Sequence, residues 1–315
     1  MTQNFYDVAV IGGGAAGLNA ALILGQARRS VVVFDNGVPR NAAAAHMNGF
    51  LSRDGMDPAE LVSIGRAEVK KFGGDFRSGT VVSVDSVGRR FAVECDDGSR
   101  IDARKVLIAT GLTDRLPAEL EVFGEFWGKQ VLHCPYCHGY DVRDQPLGVV
   151  AKTVDRAMHQ ALMLRQWSSD VVLFRHRVGD LGAENLEKLA ARDVVVVEGE
   201  VTAPVVENAR LTGVQLADGT VVSRAAVFVG GALTMDPNDA VLRSLGAVRA
   251  ETMMGEFVTV DGFGGTSVPG LYAAGNVVDP SLQVVMAAGA GAKAGFGINM
   301  ALTNDDLEDA LAQRR

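Results

Sequence analysis

Short unbroken apolar runs alternate along the chain with stretches whose apolar residues recur at helical spacing. The first run, DVAVI from Asp7 to Ile11, breaks into Gly12-Gly13-Gly14-Ala15-Ala16-Gly17, and the apolar-rich segment after it predicts a helix towards Ala27. A second run, SVVVF, ends at Asp35. Strand, glycine turn, helix and strand therefore follow in immediate succession. Helical spacing returns between Pro58 and Phe72, followed by the β-rich segments TVVSVD and RFAVECDDG, with a turn signal at Asp97-Gly98. A further buried run, KVLIATG, ends at Gly111.

From Pro117 the texture becomes irregular, and a second strand–helix–strand pattern follows. LGVVA from Leu147 reads as strand, Asp155 to Trp167 as helix, and DVVLF from Asp170 as strand. Two β pairs, DVVVVEGEV and LTGVQLADGTVV, precede AAVFVGG, which ends at Gly231. The tail holds GLYAAGNVVD and an alanine- and glycine-rich helix near Met286 to Leu302. The pattern predicts an α/β protein of two Rossmann-like, three-layer domains, the second inserted into the first. The outer domain comprises 1–114 and 246–315, and the inserted one 115–245.

Composition sharpens this picture at three points. A chain of 315 residues suits two domains. Glycine is abundant at 37 and proline is not at 9, which points to close backbone approach rather than to linkers. The 30 basic and 38 acidic side chains give −8, which argues against nucleic acid and anionic membrane surfaces as partners. The N-terminus has no basic region before its apolar run, and no apolar stretch is long enough to span a bilayer, so a cytoplasmic location is expected.

The glycine turn carries the first chemistry. Gly12 permits the tight turn, Gly14 lets a pyrophosphate approach the backbone, and Gly17 lets the helix settle on the sheet. The helix N-terminus offers free N–H groups to phosphate, and Asp35 suits a ribose hydroxyl pair. The motif specifies a dinucleotide without separating FAD from NAD.

The second is Cys134-Pro135-Tyr136-Cys137-His138, which admits a thiol–disulfide centre, a c-type haem attachment or a zinc site. Haem attachment would need export, and zinc would need further ligands at comparable spacing. His133 and His138 flank the pair, and thiol exchange needs a group to take and return protons. His138 is the preferred candidate, with Asp141 placed to orient it. Cys95, between Glu94 and Asp96, reads as a packing residue.

GGGAAG, the strand end Ala109-Thr110-Gly111, a Cys-X-X-Cys in the inserted domain, and GLYAAGNVVD from Gly270 to Asp279 occur in one order. The chain thereby resembles the low-molecular-weight thioredoxin reductase family of flavoprotein disulfide oxidoreductases over nearly its whole length. The resemblance implies FAD bound at Gly12, Gly14, Ala16, Gly17, Asp35, Ala109, Thr110, Gly111 and Gly275. It implies Asp279 on the ribityl chain, Gln283 and Val284 at the ring, and a homodimer. It also implies Cys137 against the flavin and Cys134 exchanging with substrate.

Two departures matter. Reductases of the family carry an aspartate after the second cysteine, whereas CPYCHG with His138 is similar to the branch of dithiol oxidases that close disulfides in small molecules of the gliotoxin and holomycin type. In the inserted domain, Lys152 and Val154 stand where the first two glycines of an NADPH motif belong, although Ala157 keeps the small third position. NADPH is therefore doubtful, while Arg175, His176 and Arg177 remain as residues able to meet a 2′-phosphate. The leading expectation is an FAD-dependent dithiol oxidase acting on a small-molecule dithiol with oxygen reoxidising the flavin. The alternatives are a reductase of a thioredoxin-like protein, driven by NADPH or another donor, and a flavin-bound redox sensor.

Overall fold

The computed structural model describes residues 4–314. The chain divides into two compact units. One contains the residues up to Ala42, Met56–Thr113 and Met235 onward, and the other contains Ala43–Gly55 and Asp114–Thr234.

In the first unit the glycine-turn pattern becomes a strand at Phe5–Ile11, a helix at Ala15–Gln26 and a parallel strand at Val31–Asp35. Valines on both faces of Val31–Asp35 are buried, as expected of a parallel strand covered on both sides. Arg100–Ile108 runs parallel to Phe5–Ile11 along its other edge, Ile11 meeting Ile108. The far edge of this nine-residue strand is shared. Its first half pairs antiparallel with Arg90–Cys95, and its second half pairs parallel with Leu271–Ala273 from the tail. The tail thus completes the sheet begun at the N-terminus.

Two cores flank this sheet. Leu18, Ala21, Leu24, Ile298 and Leu302 pack helices against one face. Val84, Phe91 and Val93 of the antiparallel strands pack on the other with Leu242 and Leu271. The helix Pro58–Lys71 is bounded by local chemistry, since Asp57 accepts from the N–H of Ala59 at 2.6 Å, Pro58 opens the first turn, and Lys70 and Lys71 close the last.

The second unit repeats the plan. Its five parallel strands run in the order Val194–Val197, Val171–Phe174, Leu147–Val149, Ala226–Phe228 and Val131–Leu132. The helices Val154–Leu164 and Ala183–Ala190 cover one face through Ala157, Ala161, Leu164 and Leu189. A three-stranded antiparallel sheet covers the other through Val201, Leu211 and Val214.

Three expectations change. The return to the first unit falls at Met235 rather than at 246, because the short helix Ala240–Ser244 buries Leu242 in the first unit's core. Residues 43–55, expected in the outer domain, belong to the second unit, where side chains of that segment hydrogen-bond beside the cysteine pair. The last helix runs Val284–Ala312, well beyond Leu302. Arg29 and Arg104 bind Asp306, Lys105 binds Asp305 at 2.7 Å, and Arg89 binds Asp309, which ties the acidic final turns to the sheet. Among the described residues, no helix is long and apolar enough to cross a membrane.

The last helix crosses the first where a Cβ on Gly291 would penetrate the carbonyl of Ala16. Gly289, two residues earlier, faces open space. Gly291→Ala should therefore destabilise the protein by about 1–3 kcal/mol through overpacking. Gly289→Ala should stabilise it by about 1 kcal/mol through helix propensity. Thermal unfolding of the two variants checks the pair of opposite signs.

Candidate active site

The glycine turn of the first unit is closed on two sides and open on the third. Gly12, at φ +108°, lies so near the carbonyl of Ala109 that any Cβ would overlap it. Gly17 is pressed equally hard against the carbonyl of Gly12, which seats the helix on the strand end. Gly14 faces open space, and Gly14 as N-cap gives the helix no side-chain cap, with no acidic residue in its first turn. The last helix starts in the same way, since Gln283 caps nothing with its side chain and no acidic residue follows in the first turn. Two uncapped positive helix ends and a glycine-walled opening fit an anionic pyrophosphate.

The neighbouring residues converge on this opening. A Cβ on Gly13 would lie 2.7 Å from the Asp35 carboxylate, which pairs with Arg66, and the Arg66 Nε is buried without a partner. Thr110 Oγ1 donates to the carbonyl of Asn238 at 2.5 Å, and the amide of Asn238 donates to the carbonyl of Gly111 at 3.0 Å. Gly275, at φ +82°, faces the side chain of Ala16. Asp279 Oδ1 accepts from the N–H and hydroxyl of Ser281 at 2.8 and 2.6 Å, and Val284 opens the last helix. Every residue expected at the flavin thus lies in one unit, and Ala109, Asp35 and Gly275 sit directly against Gly12, Gly13 and Ala16. Orphaned Arg66 Nε and the open Gly14 leave polar and steric room for a bound nucleotide.

The cysteine centre lies in the second unit. Cys134 and Cys137 form a disulfide across a four-residue helix, Pro135–His138, with Cα atoms 5.3 Å apart. Pro135 opens that helix, and the N–H of Cys137 donates to Cys134 Sγ at 3.2 Å. The preceding strand end is held by buried Gln160, which donates to the carbonyl of His133 at 2.9 Å and accepts from the N–H of Gly231 at 3.2 Å. Gly139 is required after His138 because any side chain there would strike Trp167.

His138 and His133 part company in this setting. His133 stacks on Trp127, with ring centroids 5.6 Å apart. His138 Nδ1 lies 3.5 Å from Asp141 Oδ2, and the same oxygen is 3.0 Å from His46 Nε2 and accepts from Asn48 Nδ2 at 3.0 Å. Asn48 also donates to the carbonyl of Cys137 at 2.9 Å. Burial pushes the His138 imidazole below its ordinary value, the Asp141 carboxylate pulls it partly back, and His46 adds to the lowering. The surroundings of His138 thus favour its neutral form. The sequence offered no signal for His46 and Asn48, whose AAAAHMNG surroundings have no periodicity or motif.

The model of the pyridine nucleotide-disulphide oxidoreductase family matches residues 6–292. The chain belongs to that family. The crystal structure of HlmI is similar at 48% identity and a TM-score of 0.92, covering 99% of this chain and 97% of that one. An oxidoreductase from Agrobacterium tumefaciens is similar at 33% identity and a TM-score of 0.88, over 95% and 98% of the two chains. The thioredoxin reductase sirT of Leptosphaeria maculans is 29% identical over 96% of each chain. The protein is accordingly a flavoprotein oxidoreductase of the thioredoxin reductase type, acting on sulfur.

Family members carry two nucleotide-binding folds, and here the second differs from the first at its helix start. The Val154–Leu164 helix is capped by Thr153, whose hydroxyl accepts from the N–H of Arg156, and Asp155 stands in its first turn. Val154 is the first helical residue, and Lys152 donates to the hydroxyl of Thr234 at 3.3 Å. Arg175 binds Glu198 at 2.8 Å, Arg177 lies near Glu119 and Glu200, and His176 Nδ1 accepts from the N–H of Val201. Burial lowers His176 below its ordinary value, and the adjacent Arg177 lowers it further. Cys95 lies buried in its strand, and burial pushes its thiol up, as suits a packing residue.

His138 accepts a proton only in its neutral form, and its folded-state value lies below that of free imidazole. The acid limb of thiol–disulfide exchange at Cys134–Cys137 should therefore fall below about pH 6.5. Asp141→Asn should move it lower still, and His138→Gln should slow exchange about 10²-fold at neutral pH. Stopped-flow measurement of exchange across pH checks both.

Proposed function

We propose that this protein is an FAD-dependent dithiol oxidase that closes a disulfide in a small-molecule dithiol, with molecular oxygen as the final electron acceptor. The observation that carries the reading is the contrast between the two helix starts. The first leaves its N–H groups free and its approach open, whereas the second has its own Thr153 cap, an acidic Asp155 and a Val154 side chain at the point where pyrophosphate would arrive. The basic residues after the next strand are matched by Glu198, Glu200 and Glu119 rather than left for a 2′-phosphate. NADPH therefore has no prepared seat, and electrons enter from the thiol side.

His138 takes the proton of a substrate thiol, and the thiolate attacks Cys134 Sγ, releasing Cys137 as thiolate. The second substrate thiol then attacks the mixed disulfide and closes the product ring. Cys134 departs with the N–H of Cys137 directed at its sulfur, a hydrogen bond that favours its leaving as the anion, and then takes up the proton of the second substrate thiol while Cys137 stays thiolate. Gly12, Gly14, Gly17, Asp35 and the Gln283 helix end would hold FAD, which when bound would supply the two-electron acceptor that lets the dithiol return to the disulfide. The exposed side chains of Tyr136 and Tyr140 border the pair and offer aromatic surface to a compact substrate. Homodimer formation is part of this reading and is supported by the exposed Met286, Phe296, Met300, Leu307 and Leu311 along the last helix.

The test mixes the oxidised, anaerobic holoprotein with NADPH and, separately, with a small dithiol while the visible flavin band is followed. The dithiol should bleach the band and admitted air should restore it, with neither Cys134→Ser nor Cys137→Ser retaining turnover. Rapid bleaching by NADPH would overturn the oxidase reading in favour of a reductase of a thioredoxin-like protein.

A further inference from the structure

The segment Ala43–Gly55 leaves its sequence neighbours to join the unit that holds the cysteine pair, and two of its side chains converge on one carboxylate oxygen. Asp141 Oδ2 has His138 Nδ1 on one side at 3.5 Å and His46 Nε2 on the other at 3.0 Å. Exposure rises outward along this line, with the His138 side chain 14% exposed, Asp141 31% and His46 39%. Asn48 fixes the geometry, since its amide spans Asp141 Oδ2 and the carbonyl of Cys137. The oxygen that faces the inner imidazole is therefore held in register with the backbone of the redox-active turn.

We propose that His138, Asp141 and His46 form a proton relay, in which His46 is the solvent-side terminus and Asn48 the positioning residue that keeps the carboxylate in line. The inference rests on the exchange chemistry proposed above. In that exchange two electrons pass from the substrate sulfurs to Cys134–Cys137, the protein S–S bond breaks, and a substrate S–S bond forms. The substrate gives up two protons. One is retained by a cysteine that ends as thiol, and the other, taken by His138, has no acceptor while the second cysteine remains thiolate. His138 must lose it before acting again, and Asp141 stands beside it on the more exposed side. Asp141 Oδ2 lies within 3.5 Å of one ring and 3.0 Å of the other, so a proton handed to it from His138 is already on the atom that faces His46 Nε2.

His46 also bears on His138 electrostatically. Among the described residues, the charged groups acting on His138 are Asp141, which favours its protonated form, and His46, which opposes it. Removal of His46 therefore has two separable signatures. The proton leaves more slowly, and the acid limb of the exchange moves upward.

The experiment follows exchange of the Cys134–Cys137 disulfide with dithiothreitol in the anaerobic holoprotein, across pH and in buffers of small and bulky base. His46→Gln should slow exchange by about tenfold in bulky buffer, with added imidazole restoring most of the rate. The acid limb should rise relative to wild type. Asn48→Ala should slow exchange without rescue, because it disorders the carboxylate rather than removing a base. An unchanged rate and pH profile in His46→Gln, or a loss that imidazole does not repair, would overturn the relay. Exchange with dithiothreitol does not depend on the final electron acceptor. A wild-type protein that exchanges with the His46 dependence but never turns over in air would retain the relay and sink the oxidase reading. Turnover in air with a normal His46→Gln would do the opposite.

Discussion

Backbone meeting backbone without side chains between them is the constraint from which the nucleotide-binding unit is built. Gly12 rests on the carbonyl of Ala109, Gly17 on that of Gly12, and Gly291 on that of Ala16. Each contact is closer than any Cβ would allow, and together they lock two helices and two strand ends around one opening. Each of these two helices begins without a side-chain cap or an acidic first turn, which leaves its positive end available to an anion. Glycine here is less a source of flexibility than the means by which partial charges are brought within range of a ligand.

The second unit shows what the same architecture becomes when that constraint is relaxed. Its sheet is parallel and its core is packed with buried apolar side chains, so the fold forms without the glycine turn. What differs is who satisfies the helix end. Thr153 caps the start of that helix with its hydroxyl and Asp155 stands in its first turn, whereas the helix after Gly14 has neither. The unit also carries the one-turn helix Pro135–His138, across which the sulfurs of Cys134 and Cys137 are joined. The two copies of one architecture thus differ at the first turn of one helix.

Legibility in the sequence followed the range of the physics. The strand–glycine–helix–strand unit is a local device, its parts adjacent in the chain, and the elements from Phe5 to Asp35 stand where the pattern predicts them. The Cys-X-X-Cys-His run is equally local. His46 and Asn48 were invisible because their partner, Asp141, lies more than ninety positions away, with separations of 95 and 93. The boundary near Met235 was missed for a related reason: one buried leucine, Leu242, in a five-residue helix decides which core that stretch joins. The length of the last helix also escaped periodicity. Its acidic final turns are fixed by Arg29, Arg89, Arg104 and Lys105, residues that no local window brings together with them.

The assignment of 43–55 to the unit of the cysteine pair changes what counts as a module. The contiguous stretch Asp114–Thr234 looks like a cassette that recombination could move between relatives, and it carries both sulfurs, His138 and Asp141. It does not carry His46 or Asn48, which are encoded upstream among the nucleotide-binding elements. A chimaera made at those boundaries would unite one parent's thiols with the other parent's outer imidazole and amide. The redox centre is therefore inherited in two pieces, and its compatibility has to be maintained across a gap in the gene that the fold itself conceals.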